Sequence, residues 1–171
     1  MKSKTIIYSL IVLSVIIALF AWGYSTRQGS TASVQNVAGV NNSKNMLIAN
    51  EKFYDFGAIS MKNGDVIKEF IVSNPTDGDI KISKIFTSCM CTSAFIVESD
   101  NTLKGPFGMI GHGAVPPANQ TIKAGEDLVI RAVFNPNAHG PAGVGKIDRF
   151  ITLTDTAGGT LDLEIKATVT P

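Results

Sequence analysis

From Met46 to Pro171 the apolar residues come in short runs separated by turn-forming residues, a spacing that predicts strands. The first run closes at Phe53-Tyr54-Asp55-Phe56-Gly57. The second, Val66 to Val72, sets Val66, Phe70 and Val72 on one face, with Lys68 interrupting it. Asn74-Pro75-Thr76-Asp77-Gly78-Asp79 then carries dense turn chemistry. Ile80, Ile82 and Phe86 share the next face, and Ala94 to Val97 forms a short fourth run. After a long loop, Leu128, Ile130, Ala132 and Phe134 alternate with Arg131 on the other side. Phe150–Leu153 and Leu161–Val169 close the chain as a hairpin turned by Thr156-Ala157-Gly158-Gly159. No window of this region has a convincing helical period. The pattern predicts an all-β fold, a seven-stranded Ig-like β-sandwich.

The N-terminus is patterned differently. Lys2 and Lys4 precede an uncharged run from Thr5 to Thr26 whose centre is rich in Ile, Val and Leu. About 20 such residues cross ~30 Å of hydrocarbon as a helix. Trp22 and Tyr24 stand at the far end, where amphipathic aromatics favour the interface, and the lysines hold the near end in the cytoplasm. Residues 1–26 therefore read as one transmembrane helix, an uncleaved signal anchor. A cleaved signal peptide is the rival, with Ala21 and Gly23 as its small pair, though the run is long for one. Residues 27–45, rich in Ser, Asn, Val and Gly, read as a flexible tether, and 46–171 as the extracytoplasmic domain.

Charge excludes some partners. The net charge is +1 and no Lys/Arg cluster is present, which argues against a nucleic-acid partner. No Gly-x-Ser-x-Gly, phosphate loop or His-Glu-x-x-His appears. Asp77, Asp79, Asp100 and Asp155 read as solvated turn charges, Glu126 as part of a turn, and Asp148 with Arg149 as a surface pair.

The remaining chemistry is concentrated in Thr87-Ser88-Cys89-Met90-Cys91-Thr92-Ser93, which holds the only two cysteines. Export permits a disulfide. In an extended strand, however, residues two apart lie near the ~6.8 Å α-carbon limit for one, so a bond demands a local turn. Such a bond also closes almost no loop and stabilises little. Two thiolates on one face grip a soft ion more easily, and Cys with Met selects Cu(I). Strand alternation turns Met90 away from both cysteines. His112 and His139 both lie in glycine-rich loops. If strands alternate up and down, the third ends at the cysteines and the fifth at Asn135, which places His139 at the cysteine pole. Met109 and His112 reach that pole only if the Ser99–Lys123 loop folds back along the domain. Structural cysteines, a soft-metal site and a redox pair all stay open.

Tyr54-Asp55-Phe56-Gly57, Gly64, Phe70-Ile71-Val72-Ser73-Asn74, Ser88-Cys89-Met90-Cys91-Thr92, Lys123-Ala124-Gly125-Glu126 and the closing strands resemble a bacterial family known as domain of unknown function 1573. The resemblance spans essentially all of residues 46–170 and implies a single exported Ig-like domain. It implies no activity. Glycine normally stands between that family's cysteines, where this chain has Met90. The sequence thus predicts a non-catalytic, membrane-anchored module that binds another protein or an envelope component. The alternative is a copper(I) site built from Cys89, Cys91 and His139, with Met109 and His112 as further ligands.

Overall fold

The computed structural model describes residues 46–113 and 115–171. The expected transmembrane helix and tether lie outside those residues. Among the described residues no helix is long and apolar enough to cross a membrane.

The described residues are all-β and form two five-stranded sheets. In chain order the strands are β1 (Ile48–Ala49), β2 (Phe53–Ser60), β3 (Val66–Ser73), β4 (Ile80–Thr87) and β5 (Thr92–Val97). They continue with β6 (Leu103–Phe107), β7 (Gln120–Ile122), β8 (Asp127–Phe134), β9 (Gly145–Asp155) and β10 (Thr160–Thr170). One sheet runs β1-β3-β8-β5-β6 and the other β2-β10-β9-β4-β7. Strand β2 lies parallel to β10, while the other pairings between these strands are antiparallel.

Seven strands were expected and ten are present. The additional three, β1, β6 and β7, are short edge strands, two of them inside the Ser99–Lys123 segment. Strand β6 runs back along β5, and the chain then passes Thr87 at Met109 before β7 descends along β4. Phe107 and Ala118 are buried and pin this excursion at both ends. The long loop is therefore a folded-back arm that joins the edges of both sheets.

The inward faces interdigitate in one core, as period-2 patterning requires. Phe70, Val72, Ile96, Ile130 and Ala132 come from one sheet, and Ile82, Ile85, Ile151, Leu153, Leu163 and Ile165 from the other. The expected face of β4 is corrected in its second half. A register shift between Ile82 and Lys84 turns Ile85 inward and leaves Phe86 half-buried.

Two polar residues organise turns at the pole away from the cysteines. Asn74 is fully buried; its side-chain amide donates to the carbonyls of Gly78 and Ile122, and its oxygen accepts from Thr76. Asp155, expected to be solvated, is instead buried, and its carboxylate accepts from the N–H groups of Ala157 and Gly159. The reason is position: Asp155 occupies the inward row of β9 at the strand's last residue and caps the hairpin turn from inside.

Candidate functional site: the Cys89–Cys91 pole

Strand β4 ends in one sheet and β5 begins in the other, so Ser88–Cys91 is the corner where the chain changes sheets. Backbone and side chains both fix that corner. The Thr92 N–H donates to Cys89 O at 3.1 Å, and the buried Thr87 Oγ1 lies 2.9 Å from Cys89 O and 3.0 Å from Thr92 O. Ser88 N–H donates to Phe150 O, and the Phe150 N–H returns a bond to Ser88 Oγ. The cysteines therefore sit in a turn and not in an extended strand. Their α-carbons come to 5.2 Å, within disulfide reach, and the two sulfurs are bonded to each other. This corrects the assumption of extended backbone: the local turn that a disulfide demands is present. The argument that alternation sets Met90 opposite both cysteines fails for the same reason. Met90 is exposed at the tip of the turn.

Another crossover between the sheets, from β8 to β9, lies beside this one. Asn135 N–H donates to Cys91 O at 2.9 Å, tying the two corners together. Asn135 Oδ1 accepts from the Asn137 N–H and opens a turn that leads to His139 and a 3-10 turn, Gly140–Gly143. His139 makes no capping bond to that turn, and its Nε2 lies 3.2 Å from Cys89 Sγ. Gly143 permits this placement. A Cβ there would come to 3.2 Å from His139 Cβ and 3.5 Å from the Pro136 carbonyl oxygen.

The sulfurs are not equivalent. Cys89 Sγ faces His139 and accepts from the Cys91 N–H at 3.2 Å. Cys91 Sγ accepts from Arg149 Nε at 3.2 Å, with Thr92 Oγ1 at 3.8 Å. Arg149 is itself oriented by donating from Nη1 to the Asp148 carbonyl oxygen at 2.8 Å. Arg149 is thus no surface partner of Asp148, whose carboxylate pairs with Lys166. A signal for it was present: Ile147, Arg149, Ile151 and Leu153 form one row of β9, whose other members are buried in the core.

Of the expected site residues, Cys89, Cys91 and His139 come together, with one donor atom from each lying within 4.8 Å of the others. Met109 reaches the same pole through its backbone, which bridges Thr87. His112 is exposed in the turn that follows and is not in the cluster.

No family model matches the chain, and no curated protein does. A protein of unknown function from Porphyromonas gingivalis W83 is similar in fold: 13% identity, TM-score 0.52, over 78% of this chain and 51% of that one. This chain therefore spans about half the length of that protein. Lower scores are found for the ASH/PapD-like domain of human CEP192, at 10% identity, TM-score 0.45 and coverages of 83% and 96%. The periplasmic chaperone SfaE gives 8% identity, TM-score 0.40 and coverages of 73% and 58%.

Proposed function

We propose that this chain is a membrane-anchored, extracytoplasmic Ig-like module of the 1573 family, non-catalytic, whose ligand is a soft metal ion held at the Cys89–Cys91 pole. The observation that carries the reading is the convergence of Cys89 Sγ, Cys91 Sγ and one His139 ring nitrogen within 4.8 Å. Ligands at about 2.0–2.3 Å from a single ion lie up to ~4.6 Å apart, close to the 4.8 Å within which the three donors fall, so a small adjustment as the sulfurs part brings the set to one centre. Two thiolates and an imidazole select Cu(I) over hard cations. The Arg149 guanidinium beside Cys91 offsets the surplus negative charge of two thiolates around a monovalent ion. Binding requires the dithiol, because the same sulfurs cannot both close the disulfide and hold the metal. Anchorage and export rest on Lys2, Lys4 and the apolar run that follows them.

The test is Cu(I) titration of the reduced full chain. One equivalent should bind, and binding should be lost in the Cys89→Ser/Cys91→Ser double variant. Equal binding by that variant would overturn the reading.

A second reading, docking of another envelope protein, is favoured by the outer face of the β1-β3-β8-β5-β6 sheet. Ile67 and Ile71 are exposed there, and register places them beside Val133 and Val129, with Val97 next across the sheet. The Glu69–Arg131 ion pair lies between the two halves of this patch, and Ser93 stands beside Val133. Exposed apolar surface of this kind marks interaction sites. A photo-crosslinking residue at Ile67 should give one discrete protein adduct in envelope membranes, and one at exposed Lys146 none. Absence of an Ile67 adduct would sink this reading.

A further inference from the structure

We propose that the Cys89–Cys91 disulfide undergoes directional thiol–disulfide exchange, with Cys89 as the sulfur attacked and Cys91 as the leaving thiolate held by Arg149. This goes beyond metal binding and rests on contacts that exist whether or not a metal ever binds. Two asymmetries support it. Cys89 is 8% exposed and Cys91 3%, so Cys89 is the less deeply buried residue of the pair. Arg149 Nε meets Cys91 Sγ at 3.2 Å, whereas among the described residues Cys89 Sγ meets His139 and a backbone N–H but no permanent cation. A guanidinium at hydrogen-bonding distance stabilises the negative charge that develops on the departing sulfur, and a better-stabilised leaving group departs faster.

The steps balance with a thiol as the named co-reactant. An incoming thiolate attacks Cys89 Sγ; the new S–S bond joins them while the Cys89–Cys91 bond breaks, and its electron pair leaves on Cys91 Sγ against Arg149. A second thiolate then attacks the outer sulfur of the mixed disulfide and releases Cys89 as thiolate. Two thiols are oxidised to a disulfide and the protein pair is reduced by two electrons. The product is the dithiol, the form competent to bind a soft ion.

The experiment uses the full chain in its disulfide form with glutathione as the probe. The reaction is acid-quenched at early times, free thiols are alkylated, and the modified peptide is sequenced by mass spectrometry. The glutathione adduct is expected on Cys89 with the alkyl group on Cys91. In Arg149→Gln the preference for Cys89 and the initial rate should both fall, by roughly threefold to tenfold. Arg149→Lys, which restores a cation, should recover most of the preference. Because site preference is a ratio within one molecule, it does not move with a uniform loss of stability. Adduct mainly on Cys91, equal labelling of both sulfurs, no adduct at all, or an undiminished preference in Arg149→Gln would each overturn the proposal.

Discussion

Thr87 Oγ1 lies 2.9 Å from the carbonyl oxygen of Cys89, so the last side chain of β4 closes the turn that carries the sulfurs. Its proton is shared with the Thr92 carbonyl at 3.0 Å, on the far side of the same turn. Thr87 is buried, and replacing it by isosteric valine leaves both carbonyls without that donor. Thr87→Val should therefore cost about 1–3 kcal/mol. Chemical denaturation of the oxidised protein would measure it, and an unchanged midpoint would show that water replaces the hydroxyl.

Asn74 makes a comparable set of bonds at the opposite pole. Asn74→Ala removes the donors to Gly78 O and Ile122 O, the second of which ties the β3–β4 turn to edge strand β7. A loss of about 1–3 kcal/mol is expected, more than for an exposed turn residue, because the buried Ile122 carbonyl loses this donor, while Gly78 O keeps Thr76 Oγ1 at 3.0 Å. Amide exchange should also quicken locally along β7. Uniform protection across β7 in the variant would refute the link.

Strand β4 offers a paired test of register. Ile85→Ala should cost about 2–5 kcal/mol, since Ile85 is fully buried between the sheets. Phe86→Ala should cost less despite removing more atoms, because Phe86 is only half-buried. Equal losses, or a larger one at Phe86, would contradict the register shift between Ile82 and Lys84.

That register shift also shows where the sequence stops being informative. Alternation locates β8 well, because Leu128, Ile130, Ala132 and Phe134 all point inward with no interruption. In β4 the same rule carried past Ile82 selects Phe86, since nothing in the residue types marks where pairing slips. Bounding β9 at Phe150 and Leu153 hid Arg149 and Asp155. Extending it back to Ile147 and on to Asp155 puts both on the inward row, where a charge must find a partner. Strand parity brought His139 to the cysteines although the count was short, because the two strands missed between β5 and β8, namely β6 and β7, reverse the chain twice and leave parity unchanged. The turn geometry that lets Cys89 and Cys91 bond arises from Thr87, Thr92 and the crossover between sheets, which is tertiary information.

Gly143 tests whether His139 must be held in place to serve the site. Its missing Cβ leaves room for His139, and alanine there would press within 3.2 Å of His139 Cβ and 3.5 Å of the Pro136 carbonyl oxygen. The histidine would shift by a few tenths of an ångström or more, moving Nε2 off its 3.2 Å approach to Cys89 Sγ. Supporting residues that orient a ligand typically change metal affinity by roughly 10–100-fold. Gly143→Ala should therefore weaken Cu(I) binding by the reduced protein on that scale, and His139→Ala at least as much. The melting temperature of the oxidised form should move by only a few degrees, because Gly143 lies in an exposed 3-10 turn with no buried residues. Competition titration against a chromophoric Cu(I) chelator reads the affinity directly. Wild-type affinity in both variants would remove His139 from the ligand set and leave the two sulfurs alone at the site.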